Sequence, residues 1–297
     1  MKFRGHETFF LRKGWLYKGM SNVVREPGVF QGAAGNPMDV LGIGANMVKS
    51  LRYWLVATKL TSEPRAGRRN QELTELGHII FENDPYMEEI GSIWLVHLML
   101  ASNEDDATSW YLFFNEFNKA EFDVEDFRSS VVKYIRMQKD GTFPSERAVE
   151  DDFNCIINTY VPRVKLDPQK VHPESNIDCP LGELGLVDVI NKKKGIFKKS
   201  VPKLGMLPEL ILLAAIIKAN GDRTEIKIST LQNDKGQIGK LFNLDSITLQ
   251  NALFKLEKLG YIRVIRTAGL DIIQIITDMQ FADCVRAYYN ELNQQHG

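Results

Sequence analysis

Apolar and polar positions fall into helical stripes broken by short alternating runs, and the clearest stripe lies within residues 37–81. Met47, Val48, Leu51, Trp54 and Leu55 recur at i, i+1, i+4, i+7 and i+8, the spacing of one buried helix face. Asn46, Lys49, Ser50, Arg52 and Tyr53 are left for the faces that do not pack. A shorter run, Pro37-Met38-Asp39-Val40-Leu41, precedes this helix across Gly42-Ile43-Gly44. Short helix, glycine turn and basic-faced helix is the helix-turn-helix pattern. Leu60-Thr61-Ser62 then predicts a short strand, residues 63–71 a polar loop carrying Arg65, Arg68 and Arg69, and Glu72 onward a return segment and another helix. A hairpin tipped by arginines beside a basic helix would be a wing, because a guanidinium is permanently charged and can hold two phosphate oxygens. An ordinary helix pair with a solvated basic loop is the alternative.

The same reading extends along the chain. Thr8 is the expected N-cap of a helix whose stripe is Phe9, Leu11, Trp15, Leu16 and Met20. Residues 26–36 form a glycine-rich connector without the lysine-hydroxyl pair of a phosphate-binding P-loop. Residues 82–165 read as helical. Ile90, Ile93, Trp94, Leu95, Leu98 and Leu100 mark a buried helix, with His97 a hydrogen-bonded core histidine. Trp110 to Phe114 and Phe117 are expected in the core. Residues 166–200 are expected to be a linker, interrupted by Pro168, Pro173 and Pro180, and a basic hairpin containing Lys192-Lys193-Lys194-Gly195. Residues 201–297 predict an apolar helix from Pro208, a short strand at Ile226, a helix over 245–259 and two strands around Thr267-Ala268-Gly269. In that helix Gln250, Asn251, Lys255 and Lys258 are expected to face outward. The expected fold class is mainly α with small β wings (α+β). It divides into an N-terminal winged helix-turn-helix (1–81), an acidic helical middle (82–165), the linker and hairpin (166–200), and a winged-helix-like C-terminal part (201–297).

Charge sharpens this picture. The chain is nearly neutral at −1, yet residues 1–80 hold 12 Lys and Arg against 6 Asp and Glu, and residues 81–190 hold 9 against 22. Residues 191–297 hold 16 against 10, so two basic ends flank an acidic middle, a pattern that points to nucleic-acid contact at the ends. At 297 residues, 44% apolar and 25% charged, the chain is ordinary for a globular protein of two or three domains. It shows no long apolar span and no secretion signal. Three dispersed cysteines argue for a reducing, cytoplasmic setting, and no Cys or His pair has zinc spacing.

His6 and Glu7 are the first candidates for acid–base or metal-ligand chemistry, although a hydrogen-bonded helix-entry turn is the simpler role for them. Asp151 and Asp152 form an acidic pair, but neighbours on a helix diverge by roughly 100°, and they read as solvated. No compact nuclease signature is visible.

Gly5-His6-Glu7-Thr8-Phe9, Arg12, Gly14-Trp15-Leu16, the run from Leu41 to Trp54, and Asp178-Cys179-Pro180-Leu181-Gly182-Glu183-Leu184-Gly185-Leu186 together resemble a bacterial family of unknown function. That family is often encoded beside PAPS-reductase-like, sulfur-handling proteins, and its members look like the DNA-nicking component of the Ssp DNA phosphorothioation system. The resemblance covers nearly the whole chain. It implies antiphage defence in which sulfur replaces a non-bridging phosphate oxygen, with double-stranded DNA, an ATPase and a PAPS-reductase-like component as partners. It transfers no catalytic residues. From the residues themselves, His6 and Glu7 are the catalytic candidates, and Arg12, Asn46, Lys49, Ser50, Arg52, Tyr53, Arg65, Arg68 and Arg69 the DNA-binding set. Magnesium or manganese is the cofactor that nicking would commonly use, but no ligand set is evident. A non-catalytic DNA adaptor and a transcriptional regulator are the competing readings.

Overall fold

A computed structural model describes residues 1–138, 143–162, 179–203, 205–267 and 270–296. The fold is mixed α/β, mostly helical with three small antiparallel sheets, and it divides into two compact units, Met1–Lys199 and Ser200–Gly297. No helix among the described residues is long and apolar enough to cross a membrane.

In the first unit α1 spans Trp15–Arg25 and starts after Gly14, whose φ of 80° turns the chain into the helix without a side-chain cap. Thr8 is therefore not its N-cap; Thr8 lies in an earlier turn with a φ of 69°. Asn36 caps α2, Pro37–Leu41, by accepting the Met38 N–H, and Pro37 fits the first helical turn. Gly42, at φ 61°, ends α2, and α3 follows over Ala45–Ala57. Strand β1, Thr61–Ser62, pairs antiparallel with β2, Glu72–Leu73, so residues 63–71 are the loop of a true hairpin. Thr74 then caps α4, Glu75–Asn83, through the Gly77 N–H, while its own hydroxyl donates to the Lys59 carbonyl at 2.6 Å.

Val48, Leu51, Trp54 and Leu55 are buried, as the stripe on α3 requires. Ser50 and Tyr53 are buried as well, at 0% and 5% exposure, which corrects their placement on an unpacked face. The reason is a second layer. The N-terminal segment packs on α3 as well as α1, and the Phe9 carbonyl accepts the Trp54 indole N–H at 3.0 Å and the Ser50 hydroxyl at 3.4 Å.

The rest of this unit is built on α5, Ile90–Ala101, which is buried on every side from Gly91 to Ala101. Around it lie α6 (Thr108–Asn115), β3 (Glu121–Phe122), α7 (Val124–Met137) and α8 (Glu146–Tyr160). His97 is a core histidine, its Nδ1 2.8 Å from the Tyr160 hydroxyl, and the aromatic run of α6 lies in the core. The basic hairpin consists of β4 (Val187–Asn191) and β5 (Ile196–Lys199), and β5 pairs with β3 to give the order β3-β5-β4. Lys199 fastens it: its ammonium donates to the Phe113 and Phe117 carbonyls and sits 4.9 Å from the Phe113 ring centroid. The expected linker falls largely on residues 163–178, outside the described residues.

The second unit runs α9 (Glu209–Asn220), β6 (Glu225–Lys227), α10 (Ile228–Asn233), α11 (Ile238–Leu241), α12 (Ser246–Lys258), β7 (Ile262–Thr267), β8 (Leu270–Ile275) and α13 (Phe281–His296). Its sheet order is β6-β8-β7, all antiparallel. On α12, Gln250, Asn251 and Lys258 face solvent, but Lys255 is partly covered and pairs with Glu209 at 2.8 Å, a correction to the expected outward face. The pattern reading omits α13, although Phe281, Cys284, Val285, Tyr288 and Tyr289 keep helical spacing; α13 packs on α9.

Candidate nucleic-acid interface

The first unit carries an open groove of about 450 Å³ where the N-terminal segment, α3 and the arginine loop meet. Its basic lining is Lys2, Lys49, Arg52, Arg65 and Arg69; Glu7, Glu63 and Asp106 are its carboxylates, and Gly5, Tyr53, Val56 and Pro64 complete it.

Two contacts shape it. The first is a buried polar cluster under the N-terminal segment. His6 is wholly buried between the rings of Tyr53, Trp54 and Trp110, and its Nε2 lies 2.7 Å from Asp152 Oδ1. Asp152, on α8, also accepts the Ser109 hydroxyl at 2.5 Å and the Arg4 backbone N–H at 2.9 Å. Outside this cluster Arg4 pairs with Asp151 at 2.7 Å. The segment is tightly folded: Arg4, Glu7 and Thr8 all have positive φ, 55°, 49° and 69°, conformations that persist only where surrounding contacts impose them. Gly5 lies so close to Tyr53 that a Cβ would stand 2.5 Å from the ring.

The second contact is a clamp between helix and loop. Arg52 grips Glu63 with two hydrogen bonds, Nε to Oε2 at 2.7 Å and Nη2 to Oε1 at 2.6 Å. Gln71 donates to Glu63 and to the Arg52 carbonyl, and Thr61 donates to Gln71. The clamp ties both ends of the loop to α3, and Arg65, Arg69 and Lys49 line the same groove. Burial alone would raise the Glu63 carboxyl, but the hydrogen bonds and charge of Arg52, with Gln71, outweigh it and hold it below the usual carboxylate value. Asp106 is likewise held low against burial by Lys59, 2.7 Å away.

Of the residues predicted from sequence, Lys49, Arg52, Tyr53, Arg65, Arg69 and Glu7 meet at the groove. Arg68 is exposed on the loop and Asn46 on the first turn of α3. Two assignments, Ser50 and His6, are corrected, and a third residue, Arg12, lies elsewhere. Ser50 is spent on the Phe9 carbonyl and is out of reach of a ligand. Arg12 lies outside the groove lining, partly exposed, with its guanidinium over Trp15 and Phe9, 5.3 and 5.7 Å from their centroids, which leaves its DNA-binding assignment untested. His6 is sealed against Asp152 and cannot work beside Glu7 in an open cleft. Tyr53 offers a ring wall only, since burial, reinforced by the Asp152 charge, pushes its phenol well above the ordinary value and keeps it neutral.

Residues missed by sequence reasoning are Lys2, Ser109 and Asp152. Asp152, read as solvated, is buried at 1% exposure. The signal was present: it sits on the α8 stripe with Val149, Phe153, Ile156 and Tyr160, where an acid must find a partner.

The groove does not fit a preformed carboxylate cage for a divalent cation. Glu63 is held by Arg52 and Asp106 by Lys59, which leaves Glu7. Among the described residues no three His, Cys, Asp or Glu side chains converge as a metal site.

Two outcomes follow. Replacing His6 with Ala leaves the buried Asp152 carboxylate short of a partner and is expected to cost about 3 kcal/mol, read by urea unfolding at neutral pH; a loss below about 1 kcal/mol contradicts the cluster's role. For the clamp, a depressed folded-state Glu63 means its contribution is complete above the unfolded glutamate value and is lost as pH falls through the folded one. The stability gap between wild type and Arg52→Ala should hold down to about pH 5 and narrow below about pH 4.3. An equal gap at neutral pH and about pH 3 would exclude the ionic clamp.

Comparison with known proteins concerns the chain as a whole. No curated protein matches the sequence. Two solved structures do, one described as magnesium ion-bound SspB and the other as SspB. Each is similar with a TM-score of 0.81 and 26% sequence identity, over 99% of this chain and 87% of the other. Residues 3–289 match the family described as protein of unknown function DUF4007, and the chain belongs to that family.

Proposed function

We propose that this chain is a duplex-DNA-binding component of a bacterial DNA phosphorothioation defence system and that it nicks one strand. The observation that carries the DNA-binding part is the convergence of Lys2, Lys49, Arg52, Arg65 and Arg69 on one groove. Asn46 and Lys49 lie on the first turns of α3, the part of a reading helix that reaches base edges, and Arg68 adds a free cation on the neighbouring loop. Gly44 leaves α3 without a side-chain cap, so its first N–H groups are open to a phosphate. In this reading residues 1–81 are a winged helix-turn-helix. Residues 82–165 are an acidic body able to dock basic system partners such as the ATPase or the PAPS-reductase-like component. The second unit follows the element order of a winged helix. Placement in the phosphorothioation system is supported by the similarity to SspB and by the family resemblance.

For strand cleavage Glu7 is the remaining candidate base. It faces the groove, and no ion-pair partner for it is present among the described residues. A carboxylate there can accept a proton from a water that attacks phosphorus, while Lys49 and the loop arginines offset the charge gathering on the phosphoryl oxygens; the phosphorus–oxygen bond to one sugar breaks and that sugar oxygen leaves, taking its proton from solvent. The adaptor reading has its own support: His6, Glu63, Asp106 and Asp152 are all held in hydrogen bonds or ion pairs.

Binding and nicking separate these readings. Lys49→Ala and Arg68→Ala should each weaken duplex binding and flatten its salt dependence by about one unit. Unchanged affinity and slope in both would remove the groove from DNA contact. Purified protein should convert supercoiled plasmid to open circle, assayed with magnesium or manganese and again in EDTA to read any metal dependence, and Glu7→Gln should bind normally and lose nicking. Duplex binding without any nicking would establish the adaptor instead.

A further inference from the structure

The second unit presents a helix face that the DNA reading does not use. Leu249, Leu253 and Leu256 bury one side of α12, which packs toward α9 and β7. On the opposite side Ile247 and Phe254 stand 72% and 65% exposed, with Gln250, Asn251 and Lys258 also in solvent. Single exposed apolar residues are ordinary, but Ile247 and Phe254 are among the most exposed large apolar side chains of the described residues and share one helical line, seven residues apart.

The line also has a symmetry. Read from either end it is apolar, amide, amide, apolar, centred between Gln250 and Asn251. A two-fold axis at that centre, perpendicular to α12, sets an antiparallel copy with Ile247 of one chain on Phe254 of the other and Gln250 opposite Asn251. Paired amides at the centre each donate and accept, which fixes the register, and antiparallel helices align their dipoles favourably. Lys258 of one copy then falls near the helix start of the other, where Asp245 is an exposed N-cap carboxylate.

We infer that this face of α12 is a self-association surface and that its occupant is a second copy of the chain. A phosphate backbone suits it less, because the face carries one cation, Lys258, and its most prominent groups are hydrocarbon. A helix of 13 residues is about 20 Å long, so each copy covers only a few hundred Å², well under the roughly 800 Å² per partner of a stable interface. The dimer is therefore reversible, with a dissociation constant between about 1 and 100 µM. This inference does not depend on the DNA reading.

Sedimentation velocity of the full chain from about 1 to 300 µM tests it. The weight-average mass should climb toward twice the chain mass, and Phe254→Glu and Ile247→Glu should each abolish the climb while leaving the melting temperature unchanged, since both side chains are exposed. As a geometric check, Ile247→Cys chains mixed with Phe254→Cys chains should give a covalent dimer with a short bifunctional thiol reagent, and neither should alone. A monomer throughout, or a dimer indifferent to both glutamate variants, overturns the inference. So does a loss of duplex affinity in Phe254→Glu at concentrations where the chain is monomeric, which would assign the face to DNA.

Discussion

A single buried carboxylate, Asp152 on α8, determines where the N-terminal segment lies. It gathers the His6 imidazole, the Ser109 hydroxyl and the Arg4 N–H in a space walled by Tyr53, Trp54 and Trp110. A buried polar group is costly unless it is hydrogen-bonded, and here three hydrogen bonds offset that cost. These contacts hold the segment against Asp152. Held, it lays Lys2 and Glu7 along the edge of α3 and covers Ser50 and Tyr53. Three non-glycine residues at positive φ between Arg4 and Thr8 show how far the backbone is bent to meet these contacts.

The Arg52–Glu63 clamp works on the other side of the groove and involves a compromise. Arg52 gives up much of its charge to a carboxylate and so contributes less to a phosphate than an open arginine would. In exchange the loop bearing Arg65, Arg68 and Arg69 is fixed beside Lys49 instead of wandering, and a smaller ordering penalty remains when a ligand binds. The groove is thus basic through Lys2, Lys49, Arg65 and Arg69, with Arg52 as its positioning residue.

Much of this was legible in the sequence, and the misreadings share a cause. The α3 stripe, the glycine turn, the hairpin and the arginine loop follow from periodicity and turn chemistry, which act over a few residues. Ser50 and Tyr53 look like solvent-facing positions because one periodic stripe identifies one buried face; the second face on α3 is created by a segment about 45 residues away. His6 beside Glu7 reads as a reactive pair until Asp152, distant in sequence, is brought against it. Thr8 has the chemistry of a helix cap, but Gly14 at φ 80° sets the start of α1. Local signals locate elements, whereas buried polar partners depend on tertiary contact and are visible beforehand only as polar residues on apolar stripes, as Asp152 is.

Hydrogen exchange in the presence and absence of a mixed-sequence duplex addresses the central claim most directly, namely that the groove between α3 and the arginine loop receives DNA. Slowed exchange concentrated in residues 44–50 and 63–71, reversed by high salt, is the predicted result. Unchanged exchange in both stretches, with protection confined to the second unit, would contradict it.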